Sequence, residues 1–507
     1  MELFNRIFQT AQDAPERPAF QNLCSGETLG YGELMERSGR IAARVRALLP
    51  DDRSLVVVYG HKSPLMLAAF LGCVRAGHPY CPVDTSMPDE RLRDILEVSG
   101  AKLLLALEET AVGCENVLCS RELLALPAPA EPLPPALTEG DDVFYVIFTS
   151  GSTGKPKGVQ ITADCLDNYL KWMESIALRE GFAEHPVFLN QAPFSFDLSV
   201  MDLYTGLFLG GTVCALDKHA QADMELMYRL LDGSGIQVWV STPSFVNMCL
   251  INGAFAQQML PGLRCFLFCG EVLTNKTARD LLDRFPMARV INTYGPTEST
   301  VAVTEVVVTK EMAEAETPLS IGAVKPGSRI FLMDESYTLP GLPEGEKGEI
   351  VIAGDTVAKG YLNRPELTAE KFITLRTPEG EMRAYKTGDE GYLRDGLLYY
   401  SGRMDFQLKI NGYRIELGDI ENNLLLLDNV KACVCLPIEK KGVNRGLAAF
   451  VCTEAPAENE FAAAQTLRQQ LMERLPAYMV PKKFVFLEDM PKTNNGKVDR
   501  RALKERL

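Results

Sequence analysis

Short apolar segments alternate with longer amphipathic stretches over about the first 310 residues, and this alternation limits the possible folds more than any other feature. Residues 55–59 (Leu-Val-Val-Val-Tyr), 143–148 and 265–268 contain no charged side chain. Strands of this kind are typical of a parallel sheet that helices cover on both faces. The alternation therefore predicts an α/β fold built from βα units.

The pattern changes further along the chain. Between residues 320 and 403, strand-like segments are broken by Gly and Asp, which favours a part made of strands and turns. The last hundred residues mix strand-like and helix-like segments and predict a small α+β unit. A Pro- and Ala-rich stretch at 126–139 predicts an exposed connector.

Composition narrows the functional classes. At 507 residues the chain has room for one large domain and a small one, and its 67 Asp and Glu outnumber its 52 Lys and Arg. An acidic protein is poorly suited to binding nucleic-acid phosphates. The apolar run Pro64–Val74 falls short of the roughly 20 residues of a membrane helix, and the N-terminus lacks the pattern of a signal peptide. We therefore expect a cytoplasmic protein with no nucleic-acid partner and no membrane insertion.

Cysteine and histidine follow no pattern typical of a metal site. None of the 13 cysteines forms a Cys-x-x-Cys pair, and the four histidines form neither His-x-x-x-His nor His-Glu-x-x-His. The chain also lacks a Gly-x-Ser-x-Gly nucleophile elbow. Zinc hydrolases and Ser-His-Asp hydrolases are therefore disfavoured.

The end of the chain is basic although the whole chain is acidic. Residues 476–507 hold eight Lys and Arg against four Asp and Glu, a net charge of +4. Such a segment can be an ordinary solvated surface, or it can have to approach an anion such as a polyphosphate or an acidic protein. Charge alone leaves both interpretations open.

The strongest local motif runs from Phe148 to Gly158 (Phe-Thr-Ser-Gly-Ser-Thr-Gly-Lys-Pro-Lys-Gly) and follows an apolar strand directly. Glycines let backbone N–H groups converge on an anion, hydroxyls add donors, and lysines add charge. The loop is not a Walker A motif, because Pro156 stands where that motif has Ser or Thr. We predict a triphosphate loop whose binding residues are Thr149, Ser150, Gly151, Ser152, Thr153, Gly154 and Lys157.

Together with five further stretches in the right order, this loop resembles the adenylate-forming superfamily, which includes acyl-CoA synthetases, luciferases and the adenylation domains of nonribosomal peptide synthetases. The further stretches are 190–200, 292–300, 385–392, 402–421 and 494–501. More narrowly, residues 194–201 and 266–273 and the overall length are similar to the stand-alone D-alanine–carrier protein ligases of teichoic acid alanylation.

The resemblance implies an α/β fold with two domains. A large N-terminal body (residues 1–404) would contain βα subdomains and a small β-barrel-like part, and a small C-terminal α+β lid (residues 405–507) would turn on a hinge at Asp405. One lid orientation would bring Lys497 to ATP. The other would bring Lys409 to Gly412 near the acyl-adenylate, where glycine lets a narrow pantetheine arm pass.

ATP and Mg²⁺ are the cofactors that the resemblance implies. The turn of Asn292, Thr293, Tyr294, Gly295, Pro296 and Thr297 would hold adenine, stacked on Tyr294. Asp389 would accept from both ribose hydroxyls, and Arg403 would bind ribose or phosphate, with Tyr400, Ser401 and Gly402 also assigned to ATP. Glu298 would bind Mg²⁺, an ion that takes one or two carboxylates beside phosphate oxygens.

Among the candidate site residues, Asp197 restricts the class of possible substrates most. It lies within an apolar and aromatic segment, where a carboxylate without a partner costs several kcal/mol. It can be the N-cap of a following helix or the counter-ion of a substrate ammonium. Amino-acid-activating members of the superfamily carry Asp here, whereas fatty-acid and aryl-acid members do not. Cys269 and Val301 fall where the family lines the side-chain pocket, and their size fits a small side chain.

Lys497, in the basic tail, matches the catalytic lysine of the family, which contacts the attacking carboxylate and the α-phosphate. The implied reaction attacks ATP with the substrate carboxylate, giving aminoacyl-AMP and pyrophosphate. It then transfers the acyl group to the phosphopantetheine thiol of a small acidic carrier protein in trans. The expected substrate is D-alanine, for lipoteichoic or teichoic acid alanylation.

Three alternatives stay open at this point. An acyl-CoA synthetase is disfavoured by Asp197. An L-amino-acid adenylating enzyme of nonribosomal peptide synthesis is disfavoured only by the narrower resemblance, because a single sequence does not show physically which enantiomer of the substrate is bound. A nucleotide-binding regulatory protein that has lost catalysis is disfavoured because Lys497 and the lysines of the phosphate loop are present.

Overall fold

The computed structural model describes the chain except for residues 51–52, 130–135, 152–154, 379, 405–406, 411, 441–442, 455–458, 492–497 and 499. The predicted hinge residue Asp405 therefore lies outside the described residues. The predicted α/β fold is confirmed: two mixed sheets with helices packed on them make up most of the body.

The larger of these sheets is parallel through its centre and antiparallel at both edges. Its strands, in spatial order, are Ala323–Val324, Thr304–Val307, Arg289–Tyr294, Cys265–Phe268, Val238–Ser241, Val187–Asn190, Thr212–Ala215, Pro18–Asn22 and Thr28–Gly30. Neighbours from Arg289–Tyr294 to Pro18–Asn22 run parallel. Because parallel strands end at the same edge, the loops that follow them meet in one place.

The second sheet carries the phosphate loop. Its strands, in spatial order, are Gly360–Tyr361, Lys157–Thr162, Val143–Thr149, Tyr80–Val83, Val56–Tyr59, Leu103–Ala106 and Asn116–Cys119. The strand Val143–Thr149 enters the loop and Lys157–Thr162 returns antiparallel to it. Thr149 and Lys157 are therefore paired, and the loop lies at the end of the sheet.

Helices cover both sheets. The helix Pro64–Arg75 is buried along its whole length, and it begins where the Ser63 hydroxyl accepts a hydrogen bond from the Leu65 N–H and proline occupies the first turn. The other helices of the body are Glu2–Asp13, Tyr31–Leu48, Asp89–Ser99, Ser120–Leu124, Ala163–Glu180, Leu198–Phe208, Lys218–Ala222, Met224–Leu231, Pro243–Cys249, Asn275–Arg284, Lys310–Glu314, Pro365–Lys371 and the 3₁₀ turn Thr297–Ser299. Among the described helices, none combines the length and the apolar character that crossing a membrane requires.

The predicted β-barrel-like part is an open antiparallel sheet. Its strands are Ser328–Met333, Gly348–Gly354, Gly380–Arg394, Phe372–Thr377 and Leu397–Arg403. The long strand Gly380–Arg394 pairs along one edge with Gly348–Gly354 and along the other with two strands in succession. Within the described residues the outer strands do not pair with each other, so the sheet does not close into a barrel, and the expectation of a barrel was wrong in this respect.

The lid has its own sheets and helices. Its strands are Gln407–Ile410 with Tyr413–Glu416, and Val430–Lys440 with Val443–Thr453 and Lys483–Phe486; its helices are Leu417–Leu425, Glu460–Met472, Arg500–Lys504 and the 3₁₀ turn Ala477–Met479. Hydrophobic clusters of the described residues do not mix the two parts: the last member on the body side is Tyr400 and the first on the lid side is Leu408. The predicted boundary at 404/405 falls in this interval and stays a prediction.

Polar contacts join the lid to the body. Arg91 of the helix Asp89–Ser99 pairs with Asp419 at 3.0 Å, and both side chains are almost completely buried. Burial raises the pKa of the Asp419 carboxyl to about 6, although Arg91 opposes the rise. Arg474 forms a second ion pair with Glu90 at 3.0 Å. These contacts fix the side of the body on which the lid rests.

Candidate active site

A cleft open to solvent lies where the lid meets the carboxyl ends of the parallel strands. The strands Val238–Ser241 and Cys265–Phe268 lead at this edge into Thr242 and into Cys269 with Gly270, which line the cleft. The strand Arg289–Tyr294 leads in the same way into Gly295. A crevice at the carboxyl ends of parallel strands is the usual position of a ligand site in an open α/β sheet.

The structure brings about half of the predicted site residues to this cleft. Those that line it are Thr149, Ser150, Asp197, Cys269, Gly295, Pro296, Thr297, Val301, Asp389 and Arg403. Those that do not line it are Gly151, Lys157, Asn292, Thr293, Tyr294, Glu298, Tyr400, Ser401 and Gly402. The predicted residues Ser152, Thr153, Gly154 and Lys497 lie outside the described residues.

Asp389 is the centre of the predicted nucleoside side of the cleft. The Tyr294 hydroxyl donates to one carboxylate oxygen of Asp389 at 2.6 Å, and the Arg403 guanidinium donates to the other at 2.9 Å. Asp389 lies on the strand Gly380–Arg394, and the two donors come from the strands Arg289–Tyr294 and Leu397–Arg403. The predicted adenine and ribose residues Tyr294 and Asp389 thus contact each other directly, and the carboxylate is held in a fixed position at the cleft wall.

Asp197 opens the helix Leu198–Phe208, but its side chain does not cap that helix. One carboxylate oxygen instead accepts a hydrogen bond from the Thr297 hydroxyl at 2.7 Å. Burial raises the pKa of the Asp197 carboxyl, while Thr297 and the more distant Lys409 partly oppose the rise. The N-cap interpretation is therefore not supported, and the Asp197 carboxylate lines the cleft with the Thr297 hydroxyl as a hydrogen-bond donor.

Glu298 lies just behind the cleft and is completely buried. Both of its carboxylate oxygens accept hydrogen bonds from Arg414 of the lid, at 2.9 and 2.6 Å, and the Tyr361 hydroxyl donates at 2.7 Å. Lys157 lies 3.9 Å away. Burial alone would raise the pKa of the Glu298 carboxyl, but Arg414 and Lys157 lower it to about 2.

These contacts do not fit a preformed Mg²⁺ site at Glu298. Arg414 takes the place in which a cation would contact the carboxylate, and Lys157 adds a second positive charge nearby. Among the described residues, no group of three or more His, Cys, Asp or Glu side chains is arranged to hold a metal ion. In this lid orientation Glu298 serves as the partner of the lid.

The described part of the phosphate loop also contacts the lid. The Ser150 hydroxyl donates to the backbone carbonyl of Arg414 at 2.8 Å and accepts from the Glu416 N–H at 3.1 Å. Burial and the neighbouring Arg414 lower the pKa of Lys157 to about 8. The Thr149 hydroxyl is buried and has no hydrogen-bond partner among the described residues, so it is a free polar group at the cleft wall.

Cys269 and Val301 form the apolar end of the cleft, as predicted for a small side-chain pocket. The Cys269 thiol donates to the Val301 carbonyl at 3.5 Å, and both side chains are buried. Burial raises the pKa of the thiol, which keeps it protonated at neutral pH. Cys269 is therefore a wall of the pocket, and a nucleophilic role does not fit its surroundings.

Sequence analysis missed the side chains that tie the lid to the site. Arg414 was inside a recognised stretch but received no role, and Glu271 and Tyr361 received none either. Arg414 lies in the lid strand Tyr413–Glu416, next to the buried Ile415. This alternation of polar and apolar residues was the sequence signal that could have drawn attention to Arg414. Its partner Glu298 is 116 residues away, a distance that local patterns do not bridge.

Comparisons with known proteins agree with this architecture. The chain matches the family model "AMP-binding enzyme" over residues 7–362 and "AMP-binding enzyme C-terminal domain" over residues 419–497. It is 47% identical to a D-alanine–D-alanyl carrier protein ligase of Bacillus mycoides and 46% identical to one of Bacillus anthracis, with 99% of each chain covered. It is also similar to the structure of holo-PA1221, an NRPS protein containing adenylation and PCP domains, with a TM-score of 0.83 and 27% identity over 100% of this chain and 84% of that one.

The similarity covers the whole chain and includes both the sheets that build the cleft and the lid above it. The predicted superfamily, its fold and the assignment as an enzyme are therefore confirmed. The chain belongs to the AMP-binding enzyme family, the adenylate-forming superfamily, and shares full-length similarity with its D-alanine–D-alanyl carrier protein ligases.

Proposed function

We propose that this enzyme is an ATP-dependent ligase that activates D-alanine and loads it onto a separate small, acidic, phosphopantetheinylated carrier protein for teichoic or lipoteichoic acid alanylation. In the first step a carboxylate oxygen of D-alanine attacks the α-phosphorus of ATP, and the bond to pyrophosphate breaks. In the second step the pantetheine sulfur attacks the carbonyl carbon, AMP leaves with the bonding electrons, and the thiol proton passes to solvent.

Asp197 is the observation that carries the proposal. Its carboxylate faces the cleft and is hydrogen-bonded to the hydroxyl of Thr297, in surroundings that disfavour an unpaired charge. A substrate ammonium would satisfy it, whereas a fatty or aryl acid would leave it buried without a counter-ion. The names of the relatives supply the finer assignment to D-alanine and a carrier protein.

The wall formed by Cys269 and Val301 supports a small substrate. With the ammonium at Asp197 and the carboxylate directed toward the phosphate loop, the side chain of the substrate would face this wall of buried residues. An alanine methyl fits against such a wall better than a long side chain, because a packed wall penalises added volume.

The lid orientation supports a role in the second step. Lys409 lies 6.0 Å from the centre of the Tyr294 ring, and Gly412 lines the cleft. We take this as the arrangement in which a pantetheine arm would reach the acyl-adenylate. We further propose that Lys497 acts in the first step, in an orientation that moves Arg414 away and leaves Glu298 available to Mg²⁺ entering with ATP.

Exchange of labelled pyrophosphate into ATP, measured with D-alanine, L-alanine, glycine and acetate, tests the proposal. We expect D-alanine to give the largest kcat/KM and acetate to give none above background. Faster exchange with L-alanine would identify an L-amino-acid enzyme, and exchange with acetate would identify an acyl-CoA synthetase. Absence of exchange with all four acids would contradict the proposed enzyme function.

A further inference from the structure

The backbone of the lid comes close to the body at Gly412, which lines the cleft. Gly412 has a φ of +81°, and a Cβ atom on it would overlap the Cγ2 atom of Thr242. Gly270, with a φ of +90°, lies on the same rim, where a Cβ atom would be 4.0 Å from the Cα of Gly412. Two glycines in the left-handed region therefore let the backbone of the lid pass against the backbone of the body.

Glu271 connects the two sides of this contact. One carboxylate oxygen accepts a hydrogen bond from the Gly412 N–H at 2.8 Å. The other accepts from the Ser244 N–H at 2.9 Å, at the start of the helix Pro243–Cys249. The body thus fixes one end of the carboxylate through the first turn of a helix, and the other end binds the lid.

A carboxylate held in this way is already oriented before the lid arrives. The hydrogen bond that it accepts from the Ser244 N–H restricts the rotamer of the Glu271 side chain. The N–H of Gly412 can then be bound at little further cost in side-chain entropy. The contact requires Gly412 to lie at the cleft, so it exists only in the lid orientation described above.

We propose that Glu271 is a positioning residue for the transfer step, which holds the lid with Gly412 at the cleft while the acceptor thiol reacts. The proposal rests on the proposed function, because it assigns Glu271 to the second of the two steps. It acts through the lid and does not contact the substrate. Its loss should therefore lower the fraction of enzyme in this orientation and reduce kcat of transfer, with a much smaller effect on pyrophosphate exchange.

The test compares full-length wild-type enzyme with Glu271→Ala and Glu271→Gln. Two reactions are measured: D-alanine-dependent pyrophosphate exchange, and single-turnover transfer from preformed D-alanyl-AMP to free pantetheine. For Glu271→Ala we expect transfer to fall by about 10- to 100-fold, the range for losing a hydrogen bond to a charged group. Exchange should stay within about threefold of wild type.

Glu271→Gln should lie between the wild type and the alanine variant. Its single carbonyl oxygen can accept from Gly412 or from Ser244, but its NH₂ group cannot accept from the second N–H. Hydrogen–deuterium exchange of the peptide that contains Gly412 provides a readout that does not depend on any reaction. We expect faster exchange of this peptide in Glu271→Ala than in the wild type.

Glu122→Ala is the matched control, because Glu122 accepts a backbone hydrogen bond from Cys119 at 2.8 Å within the body, far from the lid in sequence. Both reactions should be unchanged in this variant. A melting temperature measured for each variant identifies loss of folded protein, which would lower both reactions together.

Three results would overturn the proposal: equal losses in exchange and transfer, normal transfer in Glu271→Ala, or unchanged deuterium exchange at Gly412. Failure of the wild-type enzyme to load pantetheine, despite active pyrophosphate exchange, would overturn the proposed transfer function. The proposed role of Glu271 would then fail as well, because it depends on the transfer step. That result is distinguishable because it appears before any substitution is made.

Discussion

Asp197 and Glu298 are two carboxylates at the same cleft with opposite electrostatic surroundings. Glu298 is fully buried and holds Arg414, Tyr361 and, more distantly, Lys157, and these partners keep its pKa at about 2 despite burial. Asp197 has the Thr297 hydroxyl as its hydrogen-bond donor, and burial raises its pKa.

The difference indicates that Glu298 has a structural role, whereas Asp197 is suited to binding a ligand. A buried charge is tolerated when its partners are built into the protein. Glu298 has such partners, and they come from the lid as well as the body. Within the described part of the chain no cation lies equally close to Asp197, and the proposed substrate would supply one. Substitutions at the two residues should therefore change different properties, and in opposite directions where both affect stability.

The largest expected effect is on substrate use in Asp197→Asn. The substitution keeps the shape of the side chain but removes the charge, so a substrate ammonium would be buried without a counter-ion. We expect kcat/KM for D-alanine to fall by about 10²- to 10⁴-fold, or roughly 3–5 kcal/mol. The KM for ATP should hardly change. Pyrophosphate exchange with each substrate varied in turn checks this, and a parallel loss of ATP affinity would argue against the assigned role.

Glu298→Gln should instead damage the fold or the docking of the lid. It leaves Arg414 almost buried without its anion, at a cost of about 3 kcal/mol in the free energy of unfolding. Urea unfolding in the presence of EDTA measures this without any contribution from metal. Adding Arg414→Met should recover most of the loss, and a double variant as unstable as the single one would show that the pair is not the cause.

The pH dependence of this effect has a defined sign. Because the pKa of Glu298 is lowered from 4.5 to about 2 on folding, its stabilisation is complete above the unfolded value and is lost as the pH falls toward 2. The stability difference between wild type and Glu298→Gln should therefore be constant from pH 5 to pH 7 and shrink below about pH 4.5.

Cys269→Ala should have an effect of intermediate size on substrate use. This substitution tests the shape of the pocket, whereas Asp197→Asn tests its charge. If Cys269 forms the wall against which the methyl of an L-substrate presses, removing the sulfur should raise turnover of L-alanine by about 10- to 200-fold, or roughly 1–3 kcal/mol. Turnover of D-alanine should change little. Parallel kinetics with both enantiomers decide the point, and equal losses for both would reduce Cys269 to core packing.

The smallest expected effect is on the stability of Asp197→Asn in the absence of substrate. Because burial raises the pKa of Asp197, the ionised side chain destabilises the fold, and this penalty is absent below the unfolded pKa of 3.8 and grows as the pH rises through the folded value. We expect the amide to be more stable than wild type by about 1 kcal/mol at pH 8. Thermal melts at pH 5 and pH 8 check this, and a lower melting temperature at pH 8 would restore the helix-capping role.

Local sequence patterns were enough to predict the strands, the position of the phosphate loop and the unusual setting of Asp197. Each depends on residues close together in the chain: an apolar run, a cluster of Gly, Ser, Thr and Lys, or an acid among aromatics. The family resemblance added the residues around Asp389 and the separate lid.

Contacts between distant segments were beyond this kind of analysis. Glu271 and Gly412 are 141 residues apart, and their hydrogen bond depends on where a whole domain rests. The open shape of the antiparallel sheet that contains the strand Gly380–Arg394 could not be predicted from the sequence for the same reason. Alternating strands predict pairing with neighbours, but closure into a barrel depends on whether the outermost strands meet in space.

The separate hydrophobic clusters of body and lid have a consequence for how the enzyme can move. Ion pairs such as Arg91–Asp419 and Arg414–Glu298, with an aromatic contact between Phe196 and Tyr413, join the two parts, while their apolar interiors stay apart. When such a junction opens, water can hydrate the released charges, and neither interior is exposed to solvent. The proposed lid rotation would therefore break different interactions from those lost in global unfolding, so the apolar interiors of both domains would stay intact during it.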